Sequence, residues 1–138
     1  MASNNSTGLP IIEESEATGE TARIYAEVKR ELQLPLMPNS IKAIAPSQGM
    51  LTTYWTMYRS FRQMTTFPES LLSMILYTIA EINHCKYCSA TNELTCRQLG
   101  IDEDTLKALV DDLGNVSPDR LRATINFALK AASDPQGL

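Results

Sequence analysis

The sequence predicts an all-α protein of five to seven helices, on three observations. Apolar side chains recur at the three-and-four spacing of a helix along nearly the whole chain. Ser, Thr, Asn, Asp, Pro and Gly fall where helices start and stop. No two segments alternate apolar and polar residues as a pair of strands would.

Ala17 to Leu32 places Ala22, Ile24, Tyr25, Val28 and Leu32 on one face, with Pro35 just beyond. Pro35 and Pro38 predict an extended connector, because each fixes its own φ and disfavours the helical region for the residue before it. Asn39 or Ser40 is the expected cap of a short helix over Ile41 to Ala45, ended by Pro46. Ser47 is the expected cap of a helix reaching about Arg62, whose Met50, Leu51, Tyr54, Trp55, Tyr58 and Phe61 form a broad face for a core or a subunit interface. Thr66 to Glu69 reads as a capping box before a helix with an apolar stripe of Leu71, Leu72, Ile75, Leu76, Ile79 and Ile82. Asn83 interrupts that helix, and Cys85 is expected to open the next, which runs to Leu99 and closes at Gly100. Asp102 caps a further helix ending near Asp112 to Gly114. Ser117-Pro118 begins the last, with Leu121, Ile125, Phe127, Ala128 and Leu129 as its expected buried residues.

Size and charge narrow the class of protein. At 138 residues with 43% apolar side chains, the chain is expected to form one domain over 1–138 that supports its own core, with residues 1–10 a flexible tail. A net charge of −4, with Lys and Arg scattered singly, argues against a nucleic-acid binder, which needs a basic face to neutralise phosphates. The longest apolar stretch, Leu71 to Ile82, is shorter than the roughly 20 residues of a membrane-spanning helix, so no membrane partner is expected. The opening MASNNSTG has neither a basic start nor an apolar segment, which makes a cytoplasmic location the expectation. In that compartment three cysteines point to thiol chemistry or metal binding rather than to structural disulfides.

Cys85-Lys86-Tyr87-Cys88 is a C-x-x-C pair in the first turn of an expected helix. Residues three apart share a face, so the sulfurs can meet, and the free N–H groups of that turn, with Lys86 nearby, favour a thiolate. A structural zinc is the competing reading. Cys96 lies roughly 12 Å along the helix from Cys88, too far for two thiolates that must each sit about 2.3 Å from one ion. His84 adjoins Cys85 and is poorly placed to point at the same ion. No metal or resident cofactor is therefore expected, and Cys96 reads as a small buried residue.

The stretch from Pro68 to Gly100, with Asn83, Cys85, Tyr87, Cys88 and the Leu99-Gly100 ending, resembles the alkylhydroperoxidase D-like group of the carboxymuconolactone decarboxylase superfamily. The run Pro38 to Ser47 and the Tyr54 to Tyr58 segment resemble the lead-in of its peroxidase-related branch. The resemblance covers roughly residues 20 to 112. It implies an alkylhydroperoxidase D-like helical fold and a homo-oligomer, trimer or hexamer. It also implies a C-x-x-C pair that reduces a small hydroperoxide at the expense of an external dithiol, with a dithiol reductant protein among the expected partners. Carried across, Cys88 attacks the peroxide and Cys85 resolves the sulfenic acid into a disulfide.

Two positions depart from the family pattern. Its relay Glu, 12 residues before the first cysteine, is Ser73, and its His, four after the second, is Asn92. An amide does not shuttle a proton near neutral pH as imidazole does. Glu81, one turn before Cys85, is the preferred replacement base, with Glu93 following Asn92 and Tyr77 and His84 on the approach. Two other readings stay open. One is a helical oligomeric binding or redox-sensing module that has lost peroxidase activity, and the other, ranked last, is a lactone decarboxylase. The exposed faces of the Met50 to Phe61 and Leu121 to Leu129 helices are the expected subunit interfaces.

Overall fold

The computed structural model describes residues 8–64 and 66–138, and the first seven residues of the expected tail lie outside the described residues. Among the described residues the chain forms seven α-helices and two short 3-10 segments, with no strand. The helices are α1 (Gly19–Leu32), α2 (Asn39–Ile44), α3 (Gln48–Met64), α4 (Glu69–Ile82), α5 (Lys86–Gln98), α6 (Glu103–Asp111) and α7 (Asp119–Ser133). No helix among the described residues is long and apolar enough to cross a membrane. The elements gather into two compact units, 1–65 and 66–138.

In the first unit, α1 and α2 both pack with α3 or its neighbours around Ile24, Tyr25, Val28, Met37, Ile41, Ala45, Leu51 and Trp55. The segment before α1 is stitched to this core by polar contacts. Tyr25 Oη donates to the Ile12 carbonyl at 2.8 Å, and Glu14 accepts from the Met37 N–H at 2.8 Å and from Lys29 Nζ at 2.6 Å. The Lys29 ammonium and the Met37 amide together hold the Glu14 carboxyl below its usual range. Between α1 and α3, Trp55 Nε1 donates to Glu27 at 2.9 Å and lowers its carboxyl pKa, while the Arg59 guanidinium lies 5.8 Å from the Trp55 ring. Arg59 Nε sits 3.0 Å from Glu31 as an ion pair but without hydrogen-bond alignment.

In the second unit α4 is the central helix and packs on α5, α6 and α7. Met74 and Tyr77 from α4, Cys96 from α5, Leu106 and Leu109 from α6, Val116 just before α7 and Ile125 within it form the core. The stripe expected on α4 is not the face that is buried. Ser73, Met74, Tyr77, Thr78 and Ala80 face inward, whereas Leu71, Leu72, Ile75 and Ile79 are half-buried and Leu76 and Ile82 are exposed. This helix is apolar nearly all round, so hydrophobic period alone does not choose a face. The small side chains of Ser73 and Ala80 lie on the inward side, and Thr78 satisfies its own hydroxyl by donating to the Met74 carbonyl at 2.8 Å. In α7, Ile125 is fully buried as expected, but Phe127 is exposed.

Two helix starts differ from expectation in the same way: α2 and α4 are capped by Pro38 and Pro68, not by Asn39 or Ser40 and Thr66, while α7 begins at Ser117-Pro118 as expected, with Pro118 as its cap. Each proline has the extended backbone of an N-cap, and its carbonyl accepts the first helical N–H groups: Ile41 and Lys42, Leu71 and Leu72, Leu121 and Arg122. Thr66 sits two residues before the cap of α4, too early for a capping box. Asp102, by contrast, caps α6 as expected, its carboxylate accepting the Thr105 N–H at 2.7 Å.

Candidate redox site at the turn between α4 and α5

The turn that joins α4 to α5 is a tight helix stop built on a residue other than glycine. Cys85 N–H donates to the Ala80 carbonyl and His84 N–H to the Glu81 carbonyl, both at 3.0 Å, which are the paired bonds of a Schellman C-cap. That motif places the residue after the cap in the left-handed region, and here it is His84, with φ of 53°. The far end of α5 repeats the arrangement with glycine. Gly100, at φ of 80°, donates to Arg97 at 3.1 Å and Ile101 donates to Cys96 at 3.0 Å. Since the left-handed conformation costs an L-residue about 1–2 kcal/mol and glycine little, His84→Gly is expected to raise stability by about 0.5–1 kcal/mol, read as a higher Tm with the disulfide intact. A lower Tm would show that the imidazole itself holds the turn.

The left-handed turn delivers Cys85 to the N-cap of α5. Its Sγ accepts the Cys88 N–H at 3.4 Å and its carbonyl accepts the Ser89 N–H at 2.8 Å. Cys85 thus stands just before the helix, whose first residue is Lys86, instead of opening it as its own first turn. Cys85 and Cys88 are joined in a disulfide, with Cα atoms 5.3 Å apart. Both are half-buried, with His84, Lys86 and Tyr87 exposed around them. When the disulfide is reduced, the sulfur at the N-cap keeps the backbone donor and the positive end of the α5 dipole, both of which favour its thiolate.

The other candidate residues are placed less directly. Asn92, at the position of the family's histidine, lies one turn after Cys88 and donates its side-chain amide to the Cys88 carbonyl at 2.8 Å. Glu81 is half-buried in the last turn of α4, and its carboxylate acts electrostatically on Tyr77. Ser73 is buried on the inward face of α4, roughly 13 Å of helix rise from its C-terminus. Tyr77, expected on the approach to the cysteines, sits at the α4 and α5 contact. Burial, then the Glu81 and Glu93 carboxylates, raise its phenol pKa above the usual value. The sequence signal for it was the four-residue spacing to Glu81. Cys96 is fully buried in the core, and burial with the nearby Glu93 carboxylate pushes its thiol up to about 11, so it is an inert packing residue. Among the described residues no group of three or more His, Cys, Asp and Glu side chains is gathered that could hold a metal ion.

A dithiol that closes to a disulfide within one helical turn can accept two electrons as one unit, which is the chemistry of thiol oxidoreductases. The fold around it has a solved counterpart. The chain superposes on the crystal structure of an uncharacterized peroxidase-related protein from Silicibacter sp. TM1040 with a TM-score of 0.74, over 97% of this chain and 73% of that one, at 22% identity. The two share a helical fold. No protein-family model and no curated protein matches the sequence.

Proposed function

We propose that the protein is a dithiol-dependent hydroperoxide reductase in which Cys88 attacks the peroxide and Cys85 resolves. The observation that carries this reading is the Cys85–Cys88 disulfide at the start of α5, with the Cys85 sulfur held on the Cys88 N–H. The Cys88 thiolate forms a bond to the terminal peroxide oxygen as the O–O bond breaks. The alkoxide leaves, takes a proton and departs as the alcohol, and Cys88 becomes a sulfenic acid. The Cys85 thiolate, stabilised at the N-cap, then attacks the Cys88 sulfur, and the S–O bond breaks to form the disulfide and release hydroxide, which takes a proton and leaves as water. An external dithiol reduces the disulfide by exchange and is itself oxidised, so each turnover consumes one hydroperoxide and one dithiol. No resident cofactor is needed. Glu81 is the nearest carboxylate in sequence to the turn and serves as the base that takes the thiol proton.

The reading is tested by mixing the chain with a small dithiol and an organic hydroperoxide and counting turnovers. Many equivalents consumed per chain support it, and one equivalent or none overturns it. A single equivalent is the result that a redox sensor gives. The proposed role of the Asn92 position has its own test. Because an amide there cannot carry a proton, Asn92→His is expected to raise the rate on the order of 10²-fold and to add a pH dependence near neutrality. An unchanged rate and pH profile would show that proton transfer does not run through this position.

A further inference from the structure

α3 is apolar on two faces, and its own unit covers one of them. Leu51 and Trp55 are buried in the core of the first unit. About 100° around the helix lies a second row, Met50, Tyr54, Met57, Phe61 and Met64, spaced four, three, four and three residues apart. This is the seam spacing of a two-helix coiled coil, sustained over two heptads. Met50, Met57, Phe61 and Met64 are 63%, 64%, 59% and 83% exposed, and Tyr54 is half-buried beside Tyr58.

We propose that this row is the docking surface for a second copy of the chain, with two α3 helices packed antiparallel about a two-fold axis at Met57. The order of side chains supplies the argument. Read from either end the row runs methionine, aromatic, methionine, aromatic, methionine. An antiparallel copy centred on Met57 sets Met50 against Met64 and Met57 against itself, and brings Tyr54 beside Phe61 with an offset of one residue, about 1.5 Å of helix rise. A self-complementary patch of this kind is what an isologous interface requires. Charge does not oppose it. The residues flanking the row, Leu51, Thr53, Tyr58 and Ser60, are neutral, and Arg59 is already engaged with Glu27 and Glu31. The four exposed side chains present on the order of 500 Å² of surface, the larger part of the roughly 800 Å² per partner in a standard interface. Methionine at three of the five positions suits a seam that must repack on contact.

The row shares no residue with the cysteine pair, so its test does not depend on the proposed activity. Light scattering on the full chain is expected to give a multimer, and Met57→Glu with Phe61→Glu to reduce its mass at least twofold while far-ultraviolet circular dichroism stays unchanged. Position-specific crosslinking keeps the proposal falsifiable if that variant folds poorly. Cys85 and Cys88 are bonded to each other and Cys96 is buried, so Met57→Cys adds an accessible thiol. Mild oxidation should convert it to a covalent dimer at twice the chain mass, whereas Met50→Cys should not crosslink to itself. A monomeric wild-type chain overturns the proposal, as does an unchanged mass in the folded double variant. Self-crosslinking at position 50 with none at 57 overturns it too, since it shows a different pairing.

Discussion

Cys88→Ser is expected to abolish catalytic consumption of hydroperoxide, to the level of the dithiol alone. A serine hydroxyl in that turn is almost wholly protonated near neutral pH and has no low-lying route to a sulfenic acid. Cys85→Ser is expected to behave differently. The Cys88 thiol still reacts once with peroxide, but without the resolving sulfur the sulfenic acid persists, to be trapped by a sulfenic-acid reagent and counted by mass spectrometry. The pair of variants assigns the two roles. If Cys85→Ser lost the single oxidation while Cys88→Ser kept it, the attacking sulfur would be Cys85. The N-cap geometry makes this a sharp comparison, since the backbone N–H at 3.4 Å falls on Cys85, the sulfur proposed to attack in the second step.

Ile125→Ala is expected to cost about 2–5 kcal/mol of folding stability, the loss typical of deleting a fully buried aliphatic side chain. Ile125 has no exposed surface and meets the residues of α4, α5 and α6 that make the core of the second unit. Against a typical total of about 5–15 kcal/mol, such a loss is visible as a lower urea midpoint with little change in slope. Phe127→Ala, two residues on, is expected to change stability by less than about 1 kcal/mol, because the ring is already mostly in solvent. Comparable losses for both would mean that Phe127 is covered in the folded protein. The contrast also bears on the cysteines, since α4 and α5, which hold the turn, pack against the same core.

Much of the fold was legible before any coordinates. The helices follow from apolar spacing, and Asp102 and Gly100 end or begin them by the chemistry that their types predict. The C-x-x-C pair was legible too, because three-residue spacing at a helix start brings two side chains to one side regardless of what surrounds them. The caps of α2 and α4 were not. A proline just before Asn39, and another two residues after Thr66, compete for the cap, and the fixed φ of proline with its free carbonyl prevailed in both. His84 illustrates a different limit. Nothing in its type signals a left-handed residue, and the conformation follows from the Schellman bonds that close α4 just before α5 begins.

The sequence by itself determined the all-helical class, the order of the elements and the placing of two thiols where a helix start stabilises a thiolate, because each depends on residues close along the chain. Only the tertiary structure decided which side of α4 is buried, that Phe127 is left in solvent, and that Asn92 spends its amide on the Cys88 carbonyl. Those outcomes depend on how neighbouring helices fit together. A helix apolar all round satisfies the hydrophobic effect in several orientations, and packing shape then selects one.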